Sequence, residues 1–248
     1  MELDVVLPDE APDMPPDVLV TLARRADELG FRALWLPDHL LPPAPFGEVY
    51  GGVYEPLVTL AHLAAVTERI LLGTSVLITP LREPVLLAKQ TATLARLSGD
   101  RLLLGVGTGW ERSEFDAVGA EFRRRGARTD EILERVQALH RGEEGVLEPR
   151  PARPVPIVVG GTSPAALRRA ARFADEWQGF SLTPEQFAAV EVEARKTTRI
   201  GYDDRAALPD YAAAGASSVA VHLGSWQEAA ARLDTLAQTA DPSGMVMP

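Results

Sequence analysis

The chain has 248 residues, 46% of them hydrophobic and 24% charged, with a formal net charge of −10 and no cysteine. That length is ample for a substantial core, the composition is that of an ordinary soluble globule, and the acidic balance argues against nucleic acid or an anionic membrane as partner. Without cysteine there are no disulfides, thiolate catalysis or iron–sulfur clusters, which fits a cytoplasmic protein. No window reaches the apolar length of a membrane span, and Met1-Glu2-Leu3-Asp4 is no signal peptide.

In chain order, apolar strand-like runs alternate with amphipathic helical stretches. A strand near Leu3–Leu7 precedes a helix over Asp17–Leu29, with Gly30 placed as a C-cap residue. A strand over Arg32–Leu36 leads to a helix over Glu55–Thr67, and a strand over Ile70–Ile78 to a helix over Pro84–Leu97 opened by Pro84. A strand over Arg101–Val106 is followed by a helix over Thr129–Arg141 and a surface loop over Gly142–Pro156. The pattern continues with strands over Pro156–Gly160 and Glu176–Gly179 and helices over Pro164–Ala174 and Pro184–Arg195. Strands over Thr198–Gly201 and Ser217–Leu223 and a helix over Trp226–Gln238 complete it; Pro209 is expected to interrupt any helix between them. Repeated strand–helix alternation points to a parallel sheet with covering helices. Eight candidate strands favour a single closed (β/α)₈ TIM barrel over residues 1–248, with a compact C-terminal third.

In such a barrel the chemistry sits at the carboxyl ends of the strands. The second strand, Ala33-Leu34-Trp35-Leu36, ends in Pro37-Asp38-His39. Asp38 reads equally as a helix N-cap, and His39 as a structural histidine. The third strand carries Thr74-Ser75-Val76, the fourth ends Gly105-Val106-Gly107-Thr108-Gly109-Trp110-Glu111, and the fifth ends Gly160-Gly161-Thr162-Ser163-Pro164. Glycines at that last turn, with a helix N-terminus behind them, suit a phosphate; the plainer alternative is a tight turn that needs glycine.

These blocks together resemble the bacterial luciferase-like flavin and deazaflavin oxidoreductases. The resemblance also runs through Thr67-Glu68-Arg69, Pro84–Gln90, Leu94–Arg101, Glu114–Phe115, Arg125–Glu131 and Pro156–Ala174, and covers roughly residues 15–180. It implies a barrel whose carboxyl-end face holds coenzyme F420 or FMN. It also implies that Asp38, Thr74, Ser75, Val76, Gly107, Thr108, Gly160, Gly161 and Thr162 approach that cofactor, with a non-prolyl cis peptide at Ser75-Val76. In alcohol-oxidising deazaflavin relatives the histidine equivalent to His39 faces the substrate hydroxyl. This makes His39 the candidate for proton exchange, against a role in hydrogen-bonding alone.

The chain departs from the sugar-phosphate and alcohol dehydrogenases of this group, which place a glutamate directly after Gly-Thr-Gly where Trp110 stands. Tryptophan is no general acid, so Trp110 and Trp35 are expected to wall an apolar substrate pocket. Glu111 and Glu114 read as helix-capping or solvated acids. Arg69 is expected to serve stability, and Arg82 to meet an acidic substrate or water. Arg123, Arg124, Arg125 and Arg128 read as a solvated helix entrance, or as a seat for the deazaflavin's polyglutamate tail. His62 and His140 read as spacers, and His222 carries a weak signal. The expected reaction is F420-dependent hydride transfer to or from a small-molecule substrate, and by family resemblance the protein is expected to be a homodimer. The alternatives are an FMN-dependent monooxygenase and a non-catalytic flavin-binding barrel. A metal hydrolase fits poorly, since four histidines with no His-x-His pair offer few ligands.

Overall fold

The structure, a computed structural model, describes residues 1–8, 11, 13–41 and 54–239. Among these, the strands are β1 (Glu2–Val6), β2 (Ala33–Leu36), β3 (Leu71–Thr74), β4 (Leu77–Ile78), β5 (Leu102–Gly107), β6 (Ile157–Gly160), β7 (Glu176–Phe180), β8 (Arg195–Gly201) and β9 (Ser218–His222). They pair in parallel in the order β3-β2-β1-β9-β8-β7-β6-β5-β4, and β3 also pairs with β5, which closes the sheet. β3 and β4 are two halves of one wall strand, both bonded to β5 and parted at Ser75 and Val76. The peptide between those two residues is cis. Counted this way, the barrel has the expected eight strands.

The covering helices are α1 (Asp17–Glu28), α2 (Pro56–Ala64), α3 (Pro84–Ser98), α4 (Arg112–Ala117), α5 (Arg125–Arg141), α6 (Pro164–Phe173), α7 (Pro184–Ala188), α8 (Leu208–Ala213) and α9 (Trp226–Ala237). One local device starts four of them. A side-chain oxygen of Glu55, Glu83, Ser163 or Thr183 accepts a backbone N–H of the first turn, and the proline that follows occupies a position where its missing N–H costs nothing.

Two expectations about the C-terminal third need correction. The helix begun at Pro184 is only five residues long, and Arg195 opens a strand instead. Pairing from Arg195 to Glu176 recruits Arg195, Lys196 and Thr197 into β8 despite their polarity. Pro209, in turn, does not block a helix: it lies in the first turn of α8.

Apolar side chains fill two layers. Outward-facing residues such as Leu34, Leu72, Leu104, Val159 and Val221 pack under the helices. Val6, Ala33, Trp35, Leu103, Val158 and Ala220 fill the barrel interior. Trp35 lies so close to Gly73 that a Cβ there would stand 2.2 Å from its ring, so glycine makes its room. Below it, at the amino end, Arg32 donates to Asp4 at 2.8 and 2.6 Å and to Glu176 at 2.8 Å, and Trp35 Nε1 donates to Asp4 at 3.0 Å. Burial opposes the Arg32 charge, but the two carboxylates outweigh it and hold its pKa above the ordinary value.

Candidate active site

The strand ends bring one pair of side chains together across 75 positions of sequence. His39 Nδ1 lies 2.9 Å from Glu114 Oε2, and Glu114 Oε1 accepts the backbone N–H groups of Leu40 and Leu41 at 2.6 and 3.1 Å. Glu114 is 0% exposed. It comes from α4, whose start is capped by Glu111 accepting the Ser113 N–H. Capping was therefore the right role for Glu111 and the wrong one for Glu114, which turns inward and fixes both the loop after β2 and one imidazole nitrogen. An acid thus orients the imidazole through Nδ1, at the carboxyl end of the second strand.

Asp38, next in line, has both oxygens engaged. Arg82 Nη2 donates to Oδ1 at 2.6 Å and the Ile78 N–H to Oδ2 at 2.7 Å, while Arg82 Nη1 reaches Glu55 at 2.8 Å. Burial raises the Asp38 carboxyl above the usual range, and Arg82 only partly offsets it. Arg82 is thus neither a solvated residue nor one awaiting a substrate anion: it ties the ends of β2 and β4 to the start of α2.

The break in the third wall strand occupies the centre of this face. Ser75 Oγ donates to Gln178 Oε1 at 2.7 Å, and Arg199 donates to the Ser75 carbonyl at 3.1 Å, so β7 and β8 hold the break from across the barrel. Val76 fills the space that two glycines leave: a Cβ on Gly107 would fall 2.4 Å from Val76 Cγ2, and one on Gly160 2.7 Å from Cγ1. Thr74 is buried, with its hydroxyl on the Gly105 carbonyl at 2.7 Å, so that side chain serves the barrel wall. Gly161, at φ +106°, donates to the Gln178 carbonyl and accepts from Trp177 Nε1, while Thr162 beside it is exposed. Thr108 is half-buried at the end of the fourth predicted strand.

The two tryptophans separate. Trp110 is 54% exposed and meets His39 edge-on, with ring centroids 5.8 Å apart. Trp35 is wholly buried in the barrel interior, so it packs the floor rather than lining an open wall. Arg124 and Arg128 both pair with Glu131, and Arg125 lies over the Phe122 ring at 4.1 Å, the arrangement of a helix entrance. Arg69 donates to the Asp27 carbonyl at the amino end. A cavity of about 380 Å³ opens between the starts of α3 and α5. Its lining includes Arg82, Glu83, Arg124 and Arg128, two of them arginines considered for the cofactor's tail, and none of the strand-end residues from Asp38 to Thr162 expected to approach the cofactor. Among the described residues, no helix is long and apolar enough to cross a membrane, and no cluster of metal-ligating side chains forms.

The family model for luciferase-like monooxygenases matches residues 1–233. The chain belongs to that family. Within it, an uncharacterized protein of Mycobacterium tuberculosis is 36% identical over 192 residues, covering 67% of this chain and 66% of its own length. An F420-dependent glucose-6-phosphate dehydrogenase of Nakamurella multipartita is 37% identical over 175 residues, covering 64% of this chain and 51% of its own length. This luciferase-like chain therefore spans less than two thirds of these relatives. Two solved structures share its fold at a TM-score of 0.81. They are the monooxygenase RslO1 of Streptomyces bottropensis (21% identical, 96% of this chain and 98% of that one) and an F420-dependent secondary alcohol dehydrogenase (14% identical, 98% of each).

Proposed function

We propose that this luciferase-like barrel is an oxidoreductase that holds coenzyme F420 at its carboxyl-end face and transfers hydride to or from a small organic substrate. The observation that carries the reading is the buried His39–Glu114 pair at the strand ends. The 37% identity to an F420-dependent dehydrogenase favours F420 over FMN. The residues present fit such a ring. Val76, seated between Gly107 and Gly160, offers an apolar support, and the buried Nε2 of Gln178 has no hydrogen-bond partner among the described residues. Val76, Thr108 and the Gly160–Thr162 loop would hold the ring and its phosphate-bearing tail, the latter near the N-terminus of α6. Bound there, either ring supplies the acceptor or donor of a hydride.

His39 exchanges the substrate's proton at Nε2. Glu114 keeps Nδ1 engaged and compensates the charge that the imidazole gains. Trp110, edge-on to His39, shields that exchange on one side and narrows the approach for substrate.

The test begins with fluorescence titration of the apoprotein with F420 and, separately, with FMN. Binding of F420 alone supports hydride transfer and leads to a screen of alcohols and imines. A preference for FMN turns the assignment to oxygen-dependent chemistry. Binding of neither overturns the oxidoreductase reading. A non-catalytic barrel is the second reading, favoured by Trp110 standing where related dehydrogenases carry glutamate; cofactor binding without turnover across the screen would establish it. In an active enzyme, His39→Asn should lower kcat/KM by about 10²–10⁴. Glu114→Gln should lower it by about tenfold or more, with cofactor affinity little changed in both. Wild-type turnover in both variants rules out the proton role.

A further inference from the structure

The mouth of the barrel is chemically two-sided. On the β2 side stand His39, Glu114 and Asp38, a set of bases and carboxylates. On the opposite side, from β7 and β8, stand Gln178, whose Oε1 accepts the Ser75 hydroxyl and whose Nε2 is a donor still to be matched among the described residues, and Arg199, which donates to the Ser75 carbonyl. Gln178 is 4% exposed and sits directly across from Gly160 in the register of β6 and β7. Its Oε1 is satisfied by the Ser75 hydroxyl, but its Nε2 is buried with no partner among the described residues. A buried donor left unmade is costly, and each such group in a well-packed structure calls for an explanation. Its neighbour Arg199 adds a full positive charge at the same Ser75, with Phe180 stacked at 5.6 Å beneath the guanidinium.

We propose that Gln178 and Arg199 bind the carbonyl-bearing pyrimidine edge of the flavin-type ring, with Gln178 Nε2 donating to it and Arg199 stabilising negative charge there. The proposal rests on the oxidoreductase reading above and deepens it. A ring that accepts hydride at its centre gains electron density at its pyrimidine nitrogen and carbonyl, so donors and a cation at that edge favour the reduced form. Proton exchange then belongs to the β2 side and charge stabilisation to the β7–β8 side, and the ring's orientation between them is fixed by hydrogen bonding rather than by shape alone.

The test uses wild type, Gln178→Leu, Gln178→Glu and Arg199→Met, each titrated with FMN and with F420. Three quantities are read: the dissociation constant of the oxidised ring, the midpoint potential of the bound ring, and the melting temperature of the apoprotein. Gln178→Leu is expected to weaken binding of the oxidised ring by up to about tenfold, the loss of one hydrogen bond to a neutral carbonyl. Gln178→Glu keeps an acceptor for the Ser75 hydroxyl while exchanging the donor for a second acceptor, and should weaken binding at least as much. Arg199→Met should make the midpoint potential more negative, because the reduced ring loses its cation. A merely structural role would lower the melting temperature and leave the potential where it was. If Gln178→Leu fails to fold, Gln178→Glu carries the comparison. Wild-type affinity and potential in folded variants overturn this proposal alone, whereas a wild-type protein that binds neither ring overturns the oxidoreductase reading beneath it.

Discussion

Carboxylates sealed from water need their hydrogen bonds from the protein, and Asp38 and Glu114 meet that need differently. Glu114 is met by two backbone N–H groups and an imidazole, Asp38 by one N–H and a guanidinium. Removing the guanidinium leaves Asp38 as an unpaired buried charge. Arg82→Met should therefore cost about 3–5 kcal/mol in urea unfolding, and far less when made in an Asp38→Asn background. His140 is a residue of another kind. Its Nε2 donates to the Ala88 carbonyl at 3.0 Å between α5 and α3, and burial lowers its pKa, with that hydrogen bond offsetting part of the effect. An unfolded chain takes up this proton near pH 6.5, about the ordinary histidine value, while the folded chain resists it. The stability linked to His140 is thus present above that pH and lost as pH falls from about 6.5 towards the lowered folded value. Urea midpoints at pH 8 and pH 5.5 should diverge more for wild type than for His140→Gln.

At the scale of elements, the broken strand is the most consequential piece. Gly107 and Gly160 leave the volume that Val76 fills, so Gly107→Ala overpacks the centre of the face and should cost about 1–3 kcal/mol in thermal unfolding. Combining it with Val76→Ala should recover part of that loss, a coupling that separate sites would not show. How legible each element was in the sequence follows from similar physics. Strands buried on both faces, such as Leu102–Gly107, stand out as unbroken apolar runs, and the proline-led helix starts announce themselves. β8 did not, because Arg-Lys-Thr-Thr-Arg-Ile-Gly takes its strand state from its two neighbours rather than from its own hydrophobicity. Glu114 was misread for a related reason. An acid in a first helical turn ordinarily caps, and only closure of the barrel brings it to His39. The strand ends bearing Asp38, Ser75, Gly107 and Gly160 were legible as one face; the partners that cross it, Gln178 and Arg199, lie on strands whose sequence carried no such signal.

Over the whole molecule, the barrel assigns different work to its two ends. The amino end is closed by charge: Arg32 binds Asp4 and Glu176, and Arg101 gives its guanidinium to the Ala64, Thr67, Ile70 and Ser98 carbonyls and the Thr67 hydroxyl. The carboxyl end gathers the His39–Glu114 pair, Asp38 with Arg82, and Gln178 with Ser75. Arg32→Met should accordingly destabilise the fold by about 3–5 kcal/mol, yet leave ring binding within about twofold at temperatures where the variant stays folded. Equal losses of both would show that the ends are coupled. Trp110 gives this division an optical consequence. Trp35 and Trp177 are 0% exposed and Trp110 is 54% exposed, so a soluble quencher such as acrylamide reaches the indole beside His39 long before those two. Any molecule that settles over His39 takes that indole out of the quencher's reach, and the protein's own emission becomes a label-free gauge of when its mouth is filled.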